Sequence, residues 1–339
     1  MKAATYNLPG KNLRLQETAT PVPGPGELLL RVSACGICGS DIHAAQNQLI
    51  ADGLILGHEF SGIVEATGDG TGNHWSIGDR VIALPIAPCG SCEKCLQKEY
   101  IDCPELDLIG FSMENAGAYS ECLVVPAEMA IKLPGSVNLM DAAAIEPLAV
   151  GLSAFRDGSV AIGEDILIIG AGPIGIAIAK WARFFGVQNI AISDRIPSRL
   201  ERASAAGATL LIDATAYPDP VEAMVQETGR NPCVVYECVG RPLLQHLFEI
   251  LPKRTRLVLV GATMEPEEVT LVTGSMKSLQ LVFSMGYSYS DFEYIMQLMA
   301  DQRITPEPLI SGSVSLEELP KEFERLQKPN EDCKILVCP

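Results

Sequence analysis

The stretch Asp165-Ile166-Leu167-Ile168-Ile169 is a continuous apolar run of the kind found in a parallel strand buried on both faces, and it runs into Gly170-Ala171-Gly172-Pro173-Ile174-Gly175. Helical spacing follows from Ile176 to Arg183, and after Gly186 a second strand, Asn189 to Ser193, ends at Asp194. A bare G-x-G-x-x-G is weak evidence. Strand, glycine turn, helix, strand and an acidic residue about twenty positions on together form the dinucleotide-binding fingerprint in its required context. The glycines permit the tight turn and let a pyrophosphate approach the helix N-terminus. Asp194 bears on the choice of cofactor, because a carboxylate there accepts hydrogen bonds from both ribose hydroxyls and repels a 2′-phosphate. That favours NAD over NADP, although Arg195 and Arg199 lie close by.

The alternation continues through Thr209 to Ile212, Val221 to Glu227, Cys233 to Glu237, Leu243 to Leu251, Arg256 to Gly261 and Leu279 to Phe283. Roughly six strands separated by helical segments predict an α/β fold with a doubly wound parallel sheet. The tail is different: a helix around Asp291 to Gln302, a proline-containing connector, a helix from Leu316 to Leu326 and a strand Lys334 to Val337. With the sheet already complete, this tail is expected to return to the first part of the chain. The expected division is therefore residues 1–150 with 287–339, and residues 151–286.

Residues 1 to about 85 read as short strands and turns, an irregular β-rich or barrel-like unit, with Pro21-Val22-Pro23-Gly24-Pro25-Gly26 as a rigid connection. Within it, Cys38 sits in Gly36-Ile37-Cys38-Gly39-Ser40-Asp41-Ile42-His43, read as a small-residue turn, and His58-Glu59 precedes the strand-like Phe60 to Val64. A thiolate, an imidazole and a carboxylate make a mixed donor set that suits a zinc ion. A catalytic zinc takes about three protein ligands and keeps one position open. Glu146, alone between Ile145 and Pro147 in an apolar passage, would be costly to bury unpaired and is a natural metal or substrate partner.

Cys89, Cys92, Cys95 and Cys103 form a second group, with two C-x2-C steps and a fourth thiol beyond them. Four thiolates close a tetrahedral zinc completely, which makes such a site structural. Pro88, Gly90 and Pro104 keep the segment from ordering itself, so a metal would supply the order. A disulfide pair and an iron–sulfur cluster are the competing readings of the same thiols.

Composition sets limits on the partners. A formal charge of −17 over 339 residues speaks against nucleic acid or an anionic membrane, since both need a basic face. No apolar run is long enough for a membrane span and the N-terminus has no signal-peptide core, so a cytoplasmic protein is expected. Eleven cysteines in that setting read as reduced thiols, used as metal ligands or in packing.

Taken together, Gly36-Ile37-Cys38-Gly39-Ser40-Asp41, Gly57-His58-Glu59, the four-cysteine lobe, Ile145-Glu146-Pro147-Leu148 and Gly170 to Gly175 resemble the medium-chain zinc-dependent alcohol dehydrogenases, most of all their sorbitol and polyol branch. The resemblance spans the whole chain and implies a GroES-like β-rich catalytic domain beside the Rossmann domain. It implies that Cys38, His58 and Glu146 surround a catalytic zinc, with Glu59 as ligand or exchangeable neighbour. It also implies that Ser40 and His43 relay a proton. Ile174, Asp194, Arg199, Val260, Gly261, Ser284 and Met285 would contact NAD. Hydride transfer between a secondary alcohol and NAD is the implied reaction, and the apolar strand Leu279 to Phe283, if at a sheet edge, leads to the expectation of a homodimer or homotetramer. Three positions depart from the pattern: Ala44-Ala45 follow His43 where polyol enzymes often have aromatics, Met285-Gly286 stands where several relatives carry an arginine, and Ser153 where many have a histidine. Each leaves the substrate open among polyols, sugar acids, sugar phosphates and diols. The rival functions are a zinc-free quinone or enoyl reductase of the same fold, which would not need these ligands, and a non-enzymatic NAD-binding redox sensor.

Overall fold

A computed structural model describes residues 1–339, which divide into two compact units: residues 1–146, 288–306 and 310–339, and residues 147–287 with 307–309.

In the second unit, six strands form one parallel sheet: β1 (Ile166–Ile169), β2 (Ile190–Asp194), β3 (Leu210–Asp213), β4 (Val234–Glu237), β5 (Arg256–Leu259) and β6 (Gln280–Phe283). Their spatial order is β3-β2-β1-β4-β5-β6, so the winding reverses between β1 and β4. In such a sheet the ligand crevice opens at that reversal, outside the carboxyl ends of the strands. The apolar run that reads as a buried strand is one: Ile166, Leu167 and Ile168 are fully buried. Leu167, Ala191, Val235 and Leu257 share a core with Met224, Leu247 and Phe248 from the flanking helices. Each of the larger side chains removed from water contributes about 1.5–3 kcal/mol against the entropy of ordering the chain.

The helix Pro173–Phe184 starts with Gly172 as its N-cap and Pro173 in its first turn, where the missing N–H costs nothing. It is buried around most of its circumference, with Ile176, Ala177, Ile178 and Ala179 all inaccessible, and the Trp181 Nε1–H donates to Leu148 O at 2.8 Å. Gly175 lets this helix sit against the strand exit, since a Cβ there would lie 1.9 Å from the Gly170 carbonyl oxygen.

The first unit is built on a seven-stranded sheet. Its path runs Ile310–Ser315, Lys334–Cys338, Glu27–Gly36, Glu59–Thr67, Arg80–Ala83, Ala130–Lys132, with Cys122–Pro126 also pairing with Glu27–Gly36. The tail strand Lys334–Cys338 lies antiparallel to Glu27–Gly36, with Leu336 opposite Gly36. The chain end is thus part of this sheet. One correction to the sequence reading is needed here: Gly39–Gln46 is a helix, not a turn. Cys38 is its N-cap, and the Cys38 N–H donates to the Asp41 carboxylate at 3.4 Å.

Candidate active site

The register of two strands creates the first cluster. Gly36 stands opposite Glu59, so the exit of one strand, carrying Cys38, lies beside the entry of the next, carrying His58 and Glu59. Gly36 is required by this approach, because a Cβ on it would fall 1.9 Å from Glu59 Oε2. The Cys38 sulfur, a His58 ring nitrogen and a Glu59 carboxylate oxygen all lie within 4.8 Å of one another. Ser40 Oγ donates to Cys38 Sγ at 3.1 Å, and His43 follows one turn later on the same helix, exposed to solvent.

Three residues that the sequence left without a role hold this cluster. Asp41, completely buried, places Oδ1 3.2 Å from His58 Nδ1 and accepts the Tyr119 hydroxyl at 2.6 Å through Oδ2. A carboxylate behind a ligating imidazole fixes which ring nitrogen faces the metal. Burial disfavours a charged His58, but the Asp41 carboxylate and the Cys38 thiol outweigh it and hold the imidazole well above its ordinary value. The third is Lys334, whose ammonium lies 2.5 Å from Glu59 Oε1 and 3.0 Å from the Ile37 carbonyl oxygen. The only signal for it in the sequence is a cation opening an apolar strand.

The donors suit zinc. They combine a soft sulfur, an imidazole and a carboxylate, and Glu59 Oε2 is a buried oxygen with no hydrogen-bond partner, as an oxygen reserved for a cation would be. Glu146 is buried in the first turn of the helix Ile145–Asp157 and acts electrostatically on Lys334, but it lies outside the 4.8 Å group.

The second cluster gathers the four sulfurs of Cys89, Cys92, Cys95 and Cys103 within 4.8 Å. Sulfurs bound tetrahedrally at about 2.3 Å from one zinc stand about 3.8 Å apart. Here Cys89–Cys95 is 4.0 Å, Cys92–Cys95 3.5 Å and Cys92–Cys103 3.9 Å. Backbone N–H groups of Ser91 and Cys92 draw the Cys89 thiol down to about 6, whereas burial pushes Cys95 up to about 12. Four sulfurs at this spacing could hold a zinc ion among them as thiolates. All eleven cysteines are free thiols.

In the second unit, Gly170 has φ +101° and Gly172 leaves open space where a Cβ would stand. Asp194 closes β2, and its carboxylate accepts Ala171 N at 2.7 Å and Ile196 N at 2.9 Å, which ties it to the glycine turn. Ile174 lies in the first turn of the helix Pro173–Phe184, and Arg199 near the start of the helix Pro197–Ala205. Val260 and Gly261 follow β5, and both donate their N–H to the Glu237 carbonyl oxygen. Ser284 and Met285 follow β6, with Met285 93% exposed. The glycine segment, Asp194, Val260 and Gly261 therefore all lie at the carboxyl edge of one sheet, as a dinucleotide site requires.

These features define a class. The chain belongs to the zinc-binding alcohol dehydrogenase family, with a GroES-like β-rich domain and a Rossmann domain: residues 24–135 match the model of the alcohol dehydrogenase GroES-like domain, and residues 173–301 that of the zinc-binding dehydrogenase. It is 31% identical to human sorbitol dehydrogenase, over 94% of this chain and 90% of that one. Among solved structures it is similar to the rspB alcohol dehydrogenase of Escherichia coli CFT073 complexed with NADH, at a TM-score of 0.89 and 28% identity over 100% of this chain and 99% of that one. It is likewise similar to a zinc-binding dehydrogenase of Sinorhizobium meliloti 1021 bound to NADP, with a TM-score of 0.88 and 28% identity over 100% and 99%. No helix is long and apolar enough to cross a membrane.

Proposed function

We propose that the protein is a zinc-dependent dehydrogenase that moves a hydride between the secondary hydroxyl carbon of a polyol, sugar acid, sugar alcohol or diol and NAD. The observation that carries this reading is the convergence of Cys38, His58 and Glu59 within 4.8 Å, with Ser40 hydrogen-bonded to the Cys38 sulfur. Cys38, His58 and Glu59 would hold the catalytic zinc, with Glu146 as a further carboxylate, and the four-cysteine lobe would hold a structural one. A zinc ion bound there supplies Lewis-acid polarisation of the alcohol oxygen. Ser40 would accept the alcohol proton, and exposed His43 would pass it to solvent. Asp41 and Tyr119 keep the His58 ring from turning, while Lys334 fixes the Glu59 carboxylate.

Asp194 supports NAD rather than NADP, since its carboxylate, held against Ala171 N, would meet a 2′-phosphate with like charge. β6 ends the sheet, and Leu281, Phe283 and Met285 are exposed on and just beyond it. An apolar edge strand of this kind is suited to pairing with a second copy, so a homodimer or homotetramer is the assembly we favour. Free thiols throughout suit the cytoplasm.

The test is NADH formation by the zinc-replete protein over a panel of polyols, aldonic acids and vicinal diols. Turnover with at least one of them, and a preference for NAD over NADP of about tenfold or more, is expected. A protein that binds NADH and two zinc ions yet oxidises none of the panel would refute the reading.

A further inference from the structure

Glu237 closes β4 directly opposite Ile169 of β1, at the point where the strand order reverses. It is 4% exposed. Its side chain turns back on its own loop, where Oε1 accepts Val239 N at 2.6 Å and Gly240 N at 3.0 Å. Its carbonyl oxygen accepts from the neighbouring loop, Val260 N at 2.9 Å and Gly261 N at 2.8 Å. One residue therefore satisfies four backbone N–H groups from the two loops that follow β4 and β5. The packing around it is close. A Cβ on Gly261 would fall 2.3 Å from Gly240 N and 2.7 Å from Glu237 Oε2, and one on Gly170 would meet the Cys238 carbonyl at 3.3 Å. The glycine turn thus packs against the loop after β4, and both loops are tied to Glu237.

A buried carboxylate at this place calls for an explanation. Burial pushes the Glu237 carboxyl above the usual carboxylate range, a shift only partly opposed by the Val239 and Gly240 N–H groups, and a negative charge near a pyrophosphate is unfavourable. Backbone N–H groups in a turn of this kind attract anions, and the carboxylate fills that position from within the chain. We propose that Glu237 is a positioning residue for the dinucleotide: by accepting from Val239 and Gly240 while its carbonyl holds Val260 and Gly261, it sets the shape of the crevice wall between β1 and β5. The proposal rests on the cofactor reading given above. It needs the carboxyl oxygen as an acceptor and does not need the charge.

The experiment uses the full-length, zinc-loaded protein and three variants, with NADH binding followed by fluorescence titration beside zinc content, thermal melting, and KM for NAD against kcat. Glu237→Ala is expected to weaken NADH about tenfold or more and to raise KM for NAD in proportion, because two buried N–H groups lose their acceptor. Its kcat at saturating NAD is expected to stay within about threefold of the parent. Glu237→Gln keeps an acceptor oxygen at the same reach and is expected to bind NADH within about threefold of the parent. If the alanine variant does not fold, Glu237→Asp replaces it, since its acceptor is withdrawn by one methylene, and it should bind NADH more weakly than Glu237→Gln. Alanine binding within about twofold of the parent, or aspartate binding more tightly than glutamine, overturns the proposal. A parent protein that does not bind NADH overturns the cofactor reading itself, a separate result.

Discussion

Lys334 Nζ lies 2.5 Å from Glu59 Oε1, an ion pair in which both side chains are only 1% exposed although 275 residues separate them. The pair joins the last strand of the chain to one of the two segments that carry the candidate metal ligands. Removing one member of such a pair strands the other charge in the interior, typically at about 3–5 kcal/mol. In the zinc-free protein, Lys334→Met is therefore expected to lower unfolding free energy by about that amount in urea titrations, with a matching fall in melting temperature. A loss below about 0.5 kcal/mol would show that Glu59 has another partner.

The same pair predicts an alkaline limit. Burial works against the Lys334 ammonium, but Glu59 more than reverses this and holds it above the ordinary lysine value of 10.5. A proton bound more tightly in the folded state adds stability that is complete below the unfolded value and is lost as pH rises towards the folded one. The stability difference between the parent and Lys334→Met should accordingly shrink above about pH 10.5 and stay constant near neutrality. Denaturant midpoints across that range provide the check.

Two glycines of the dinucleotide turn should separate fold from binding. Gly175→Ala places a methyl 1.9 Å from the Gly170 carbonyl oxygen, so it should destabilise the unligated protein by about 1–3 kcal/mol. Gly172→Ala meets nothing within 4 Å. It should leave unligated stability within about 0.5 kcal/mol of the parent while weakening NADH about tenfold or more, because only the ligand would occupy that space. Equal effects on melting and binding in both variants would contradict this division.

Much of the architecture can be read from local sequence, and the reasons lie in particular residues. The run Asp165 to Ile169 ahead of Gly170 to Gly175 needs no distant partner to be understood, and neither does the spacing of Cys89, Cys92, Cys95 and Cys103. The helix Gly39–Gln46 was hidden because it opens on Gly39 and Ser40 and has no strong apolar stripe; it is fixed by Cys38 at its cap and by Asp41 at its third position. Asp41 and Lys334 gain their roles from Tyr119 and Glu59, which are 78 and 275 residues away. Pairings of that range leave no trace in spacing or composition.

The four-cysteine lobe predicts a stability effect distinct from chemistry. Cys95→Ala removes one of four thiolates and should cost one zinc per chain, with a melting temperature lowered by several degrees. The activity of the protein that remains folded should fall by less than about threefold. Metal analysis beside a thermal melt tests it, and an unchanged melt with one zinc lost would contradict a structural role.

The most direct test of a metal held by Cys38 and His58 is zinc content beside activity and NADH affinity in Cys38→Ser. Zinc should drop from two ions per chain to one and turnover should disappear, while the NADH dissociation constant stays within about twofold. Two zinc ions retained together with undiminished turnover would contradict the account.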